Sequence, residues 1–461
     1  MSADVIVTVN PATGAELARY EGMSPASIQQ LVQKVDVARR GWAQTPILER
    51  ADVFLAAADI LRAGTGELAA IATSEMGKPI AEARAEVEKC AWVCEYYAQT
   101  SPHVLADREV PGSGSRSWVS HEPLGTVLAI MPWNFPYWQV FRFVAPALMA
   151  GNAGLLKHSP NVTGTALAIE QLLLDAGLPH DVFRALVVPE AAVPDTVERL
   201  VADDRVHAIT LTGSNRAGSF VAAAAGRAAK KSVLELGGSD PFVVLEDADL
   251  DVVVPRAVAG RFLNTGQSCL CAKRFIVHAS LMDEFARRLA EAVEGLPVGD
   301  PADEGTKIGP MARPDLAATL AQQVQDSVSE GATVLTGGHR MDRGAAWYAP
   351  TVVVDVSLDM PVMAEETFGP VAAVIPFDSD DDAVRIANHT PYGLGASVWS
   401  ADPDRALKVG RRIESGALFI NANTASDPRL PFGGVKQSGY GRELGEAGAI
   451  EFTNIRTTLV G

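Results

Sequence analysis

Residues 127–160 read VLAIMPWNFPYWQVFRFVAPALMAGNAGLLKHSP, and the fold depends on how this stretch divides. Val127–Met131 is a short apolar run ended by Pro132 and Pro136, which reads as a buried strand. Val140–Met149 then has the length and composition of a helix, and Gly154–Lys157 is a second short apolar run. Strand, helix and strand in that order make a parallel pair with a crossover helix. Further along, Phe183–Val188, Ala208–Leu211, Val233–Leu236 and Phe242–Leu245 read as strands, with helical patterns at Thr163–Asp175 and Arg216–Ala229. The alternation predicts an α/β fold, a parallel sheet with helices on both faces, whose ligands sit beyond the carboxyl ends of the strands.

A second α/β region is expected from about Gly238 to Gly448, with an amphipathic helix near Leu281–Val293 and strands at Thr351–Val354 and Val371–Phe377. Upstream, the N-terminal third reads as helical. Ser24 or Ser27 can cap a helix running towards Trp42 that places Ile28, Leu31, Val32 and Val35 on one face, and Arg50–Arg62 and Ala81–Tyr97 follow. Ser115–His121 and Ile450–Val460 read as strands outside both sheets, where pairing with another subunit is expected.

The 461 residues exceed one compact core, so two or three substructures are expected. A net charge of −17 without a dense Lys/Arg cluster argues against nucleic acid or an anionic membrane as partner. The start lacks the basic and apolar segments of a signal peptide, and the longest apolar stretch, Val127–Met149, is interrupted by Pro132, Asn134, Pro136, Arg142 and Pro146. Four cysteines make no disulfide framework in a chain this long, so a cytoplasmic setting is the expectation. The scattered histidines form no ligand cluster, which predicts no catalytic metal, and Cys90 and Cys94 read as core packing. The acidic run Asp378–Asp382 reads as the start of a helix.

Four local features bear chemistry. Cys269, in Gly266-Gln-Ser-Cys269, is a candidate nucleophile, with an inert buried cysteine as the alternative. Glu235 ends an apolar strand before Gly237 and Gly238, so its carboxyl should titrate high, as suits a general base; a capping role is the alternative. Asn134 lies between Pro132 and Pro136, which aim its amide at one place, as an oxyanion donor requires. Thr212-Gly213-Ser214 closes a strand and opens a helix, where a phosphate can sit, although it is not a G-x-G-x-x-G fingerprint.

Together with LLKHSP at 155–160, LELGG at 234–238, EETFGP at 365–370 and PFGGVKQSGYGRE at 431–443, these features resemble the aldehyde dehydrogenase superfamily over essentially the whole chain. The resemblance implies a Rossmann-type cofactor domain over 1–114 and 124–236, an α/β catalytic domain over 237–448, and oligomerisation strands at 115–123 and 449–461, in a homodimer or homotetramer. It implies that Cys269 forms a thioester, that Asn134 and the Cys269 N–H hold the oxyanion, and that Glu235 activates the hydrolytic water. Glu443 matches a second acidic residue used in proton relay. On the cofactor side, Trp133, Lys157, Gly213, Ser214, Glu366 and Phe368 match the family's contacts. Pro160 departs from the glutamate that many NAD-preferring members carry there. It neither repels nor holds a 2′-phosphate, so NAD or NADP is expected, with a mild lean to NAD.

Within the superfamily, residues 155–161 and 236–242 resemble a bacterial branch of succinate semialdehyde dehydrogenases. That likeness makes Arg142 the clamp for a substrate carboxylate, with a structural ion pair as the alternative. Leu263 stands where some members supply a second arginine, Arg261 should point elsewhere, and Ser426 can supply a hydroxyl instead. Glutarate semialdehyde, a neutral aldehyde and an acylating reaction with coenzyme A are the other readings, and a catalytically silent protein on the same fold is the remote one. Cys269 and Cys271 form a C-x-C pair that resembles a redox switch, against a plain packing role for Cys271.

Overall fold

The computed structural model describes residues 5–112 and 114–461. Thr126–Met131 has almost no exposed side chain, as a strand covered on both faces must. It lies near the middle of a six-stranded sheet ordered Gly439–Tyr440, Lys231–Glu235, Ala208–Thr212, Thr126–Met131, Ala153–His158 and Phe183–Ala185. All neighbours are parallel except the first pair, in which Gly439 faces Glu235 in antiparallel register. Met131 pairs with His158 and Thr212 with Glu235, so the carboxyl ends finish level and their loops converge.

Phe242–Leu245, which the alternation adds to this sheet, belongs to another. Gly237 and Gly238 turn the chain away after Glu235, and Asp240–Val244 pairs with Ala272–His278 and Gly395–Trp399 in a seven-stranded sheet. Thr351–Val354 and Val371–Phe377 are strands of that sheet, and Met282–Glu294 is its amphipathic helix.

The helix Pro25–Gln44 starts at Ser24, whose side chain accepts the Ser27 N–H, and buries Ile28, Leu31, Val32 and Val35. Ile47–Ala63 and Ile80–Val104 follow it, with Thr65–Met76 between them as a helix the periodicity missed. The N-terminal third is not wholly helical. Val5–Val9 and Glu16–Glu21 pair as a hairpin, and the β-branched run Val5–Val9 ahead of Pro11 and Gly14 was the available signal. Ile450–Val460 also divides: Gly445–Glu451 is helical and Thr453–Val460 is the strand. That strand pairs with Arg116–Pro123 in a separate three-stranded sheet. Ser379 caps Asp380–Asn388, so the acidic run does open a helix. Cys90 and Cys94 are fully buried. Among the described residues, no helix is long and apolar enough to cross a membrane.

Candidate active site

The turn that carries Cys269 is held against a conformational preference. Asn264 and Thr265 both adopt left-handed backbone angles, φ 54° and 55°, which cost a β-branched residue such as threonine about 1–2 kcal/mol. Four contacts offset that cost. Glu82 accepts the Asn264 N–H at 2.6 Å, and the Asn264 amide donates to the Asn134 and Gln267 carbonyls at 2.7 and 3.2 Å. The Thr265 hydroxyl accepts the Gly309 N–H at 3.1 Å. The nucleophile turn is thereby fixed to the 132–136 loop.

Two cavities, of about 400 and 300 Å³, meet at this turn, and only Cys269 and Gln139 line both. Trp133, Asn134, Lys157, Pro160, Gly213, Ser214, Glu366 and Phe368 all line the larger one. Arg142, Cys271 and Ser426 line the smaller.

The larger cavity is built from strand ends. Ser214 caps the helix Asn215–Arg227 by accepting the Ala217 N–H, which leaves the start of that helix facing the cavity. Lys157, at the end of its strand, is 6% exposed, and among the described residues its ammonium has no hydrogen-bond or ion-pair partner. Burial brings its pKa down to about 8, with Glu190 opposing. An unpartnered buried ammonium and a helix N-terminus on one wall fit the ribose and phosphates of a dinucleotide. Glu366 is held by the Gly238 N–H at 3.1 Å and by Lys273 at 3.0 Å. A Cβ on Gly237 would approach Glu366 Oε2 to 2.6 Å, so a larger residue there would displace the Glu366 carboxylate. Trp133 and Phe368 meet edge to face at 5.7 Å.

Asn134 is positioned by Gln139, whose Nε2 donates to Asn134 Oδ1 at 2.9 Å. Asn134 Nδ2 donates to the Gln267 carbonyl at 3.1 Å, and its second N–H remains for an oxyanion. His158 ties down the same loop. It accepts the Ser159 N–H on Nδ1, so its Nε2–H donates to the Pro136 carbonyl at 2.9 Å, and burial lowers its pKa to about 4.

Cys269 is buried enough that its pKa rises to about 12, with Lys273 and Arg142 pulling the other way. Glu235 lies outside both cavities. The residue is 2% exposed, among the described residues neither carboxyl oxygen has a hydrogen-bond partner, and a Cβ on Gly433 would come within 2.9 Å of Oε1. Burial, then repulsion from Glu443, drives its pKa well up, with Arg142 and Arg442 opposing. The burial of Glu443 raises its pKa as well.

Arg142 differs from the expectation. The family likeness makes it a clamp for a substrate carboxylate, and in this structure Glu443 faces it instead. Arg142 Nε lies 2.5 Å from Glu443 Oε2, both side chains are 3% exposed, and Arg142 also donates to Thr212 Oγ1 at 3.1 Å. The structural ion pair is the arrangement present, and Glu443 is engaged in it. Arg261 does point elsewhere, donating to the Val371, Gly266, Thr367 and Gly369 carbonyls, while Leu263 is half exposed on the smaller cavity. Cys271 is buried, with its thiol towards the Leu263 carbonyl at 3.8 Å.

Sequence reasoning missed Gln139, Lys273 and Lys89. Lys273 is fully buried and donates to the Gly238, Ser268 and Cys269 carbonyls as well as Glu366. A lysine opening the apolar run Phe275–Val277 was the available signal. Lys89 gave none, being one charged residue among many on a long helix.

A model of the aldehyde dehydrogenase family matches residues 1–458. The chain is 47% identical to a protein of Synechocystis sp. named probable succinate-semialdehyde dehydrogenase (NADP(+)), over 99% of each chain. It is 45% identical to the succinate semialdehyde dehydrogenase (NAD(P)+) Sad of Escherichia coli, over 98% of this chain and 97% of that one. The crystal structure of succinic semialdehyde dehydrogenase from Streptococcus pyogenes with NADP+ superposes with a TM-score of 0.95 at 34% identity, covering 99% of both chains.

Proposed function

The chain belongs to the aldehyde dehydrogenase family, and from that premise we propose that it oxidises succinate semialdehyde to succinate on Cys269. It is an NAD(P)-dependent aldehyde dehydrogenase. The observation that carries the reading is the meeting of two cavities at one thiol, a polar one suited to a dinucleotide and a smaller one for the aldehyde. Asn134 lines the larger cavity at that point, while Glu235 and Glu443 lie outside both.

Cys269 Sγ attacks the aldehyde carbon, and the oxyanion accepts hydrogen bonds from Asn134 Nδ2 and the Cys269 N–H. Burial keeps the thiol protonated near neutrality, so its proton must first pass to solvent water; Lys273 and Arg142 favour the thiolate left behind. The nicotinamide cofactor supplies the hydride acceptor, with Lys157, the Ser214 helix start and Glu366 as its holding groups. Glu235 then takes a proton from the water that attacks the Cys269 thioester. Among the described residues its carboxyl has no hydrogen-bond partner, which leaves both oxygens free for that water. Retention of Glu235 favours hydrolysis over transfer to coenzyme A.

The lean to NAD drawn from Pro160 gains nothing from the relatives, whose names carry NADP(+) or NAD(P)+. Arg313 lines the same cavity as Lys157 and, with Nη1 outside its pairing with Asp315, offers a donor that Pro160 lacks, so we read it as taking NADP as well as NAD. The six-stranded sheet would form the cofactor-binding domain (1–114 and 124–236) and the seven-stranded sheet the catalytic domain (237–448). The strands at 115–123 and 449–461 would join copies of the chain, a role supported by the exposure of Ile455, Leu459 and Val460. Four free cysteines suit the cytoplasm. The test is turnover of succinate semialdehyde, glutarate semialdehyde and butanal with each cofactor, with and without coenzyme A. Succinate as the product, independent of coenzyme A and with the highest kcat/KM, is expected. A higher value for butanal would sink the substrate assignment.

A further inference from the structure

The smaller cavity is lined by four charged side chains, and three of them already have an answer. Arg142 faces Glu443, and Glu86 pairs with Lys78 while accepting the Tyr137 and Trp138 N–H groups. Glu82 accepts the Asn264 N–H, and burial lifts its pKa to about 7. Lys89 is the exception. Among the described residues it has no carboxylate at ion-pair distance. Its ammonium donates to Ser426 Oγ at 2.7 Å and lies 4.2 Å from the centre of the Trp138 ring. An ammonium has three donors, so a neutral hydroxyl and an indole face leave it short of an anion.

We propose that Lys89, oriented by Ser426, binds the carboxylate of an aldehyde whose other end is a carboxylate. The inference rests on the substrate reading above and adds Lys89 to a cavity wall that Arg142 also lines. Glu82, Glu86 and Lys89 follow i, i+4, i+7 on the helix Ile80–Val104 and so share one face. Seven residues at 1.5 Å set Lys89 about 10 Å along the axis from Glu82. Glu82 is tied to the nucleophile turn through Asn264, so the cationic part of the cavity lies farther along the helix. An aldehyde at Cys269 and a carboxylate at Lys89 then define the two ends of one substrate. Removing the ammonium removes a charge-assisted bond, which is a loss of roughly tenfold to a hundredfold in binding.

Titration gives an independent reading. Burial and then the charge of Arg142 bring the Lys89 pKa down to about 8, while Glu86 and Asp427 oppose the shift and Cys90 is the remaining titratable neighbour. The ammonium is therefore lost as pH rises through about 8, and KM for the acidic aldehyde should climb there while KM for butanal does not.

The experiment compares succinate semialdehyde, glutarate semialdehyde and butanal on the wild-type enzyme and on Lys89→Met, with the wild-type pH profile of KM alongside. The expected result is a KM at least tenfold higher for the preferred acidic aldehyde in Lys89→Met, with butanal unchanged. If both classes lose equally, or neither changes, the anchor is overturned while a wild-type preference for succinate semialdehyde leaves the substrate assignment standing. If the wild type prefers glutarate semialdehyde and Lys89→Met abolishes that preference, the anchor holds and the assignment to succinate semialdehyde falls. No wild-type preference for either acid overturns both. The pH arm needs no variant: KM for the acidic aldehyde flat through pH 8 to 9 also overturns the anchor.

Discussion

The two cavities that meet at Cys269 are walled by different materials. The larger is lined by the carboxyl ends of parallel strands and the turns after them, at Pro132–Asn134, Lys157–Pro160, Thr212–Ser214 and Leu236–Gly237. The smaller is lined by side chains from the helices Ile80–Val104 and Trp138–Met149 and from the loop around Asn423–Ser426. A wall made of main chain and helix termini has its polar groups fixed by the fold. A wall of long side chains takes its character from whichever partners those chains find, and a single ion pair can reassign it. The cofactor half should therefore resist substitution, while the aldehyde half should be the seat of specificity.

The sharpest way to separate the halves is Cys269→Ala. Loss of roughly 10⁶-fold in kcat is expected, as for removal of other enzymic nucleophiles, with cofactor binding by fluorescence titration kept within a few-fold. Lost cofactor binding would mean the cavities are not independent. Glu235→Gln comes next, with a steady-state loss of about 10²–10³-fold. A burst of NADH before the slow phase is expected; a mutant without a burst would put Glu235 before hydride transfer rather than after it.

Arg142→Met tests which wall material is in use. It leaves Glu443 buried and unpaired, so unfolding free energy should fall by about 3–5 kcal/mol in urea denaturation, with kcat/KM for acidic and neutral aldehydes lowered alike. A selective loss on the acidic aldehyde alone would return the clamp role to Arg142. The smallest effect belongs to Gln139→Leu, which releases the Asn134 amide: kcat falls about tenfold, ~1.4 kcal/mol, for every aldehyde. An unchanged kcat would show that the 132–136 loop holds Asn134 without help.

The same contrast governs what the residues disclosed before any coordinates. Gly213 and Ser214 close a strand and open a helix, which periodicity and glycine placement already show, whereas Lys157, Glu366 and Phe368 were legible only through motifs that resemble the family; all five line one cavity. Cys269 and Asn134 were legible locally, as Gly213 and Ser214 were. Arg142 could not be resolved between its two readings, because the ion pair depends on Glu443, some 300 residues away in sequence. Lys89 was invisible because a charge on a helix reads as solvated surface unless Trp138 and Ser426 are known to cover it. The hairpin Val5–Glu21 was lost because the helical signal that follows it was taken for the whole region.

The antiparallel pairing of Gly439–Tyr440 with Lys231–Glu235 also bears on how the chain is made. On the ribosome, the six-stranded sheet has a bare edge from the moment Glu235 emerges until residue 440 arrives. Roughly 200 residues of synthesis separate the two, about 10–40 s at 5–20 residues per second. During that interval the edge beside Glu235 can template another chain. The first sheet must wait, unsealed, for the second to be translated, so nascent chains stalled between residues 240 and 438 should be the aggregation-prone species.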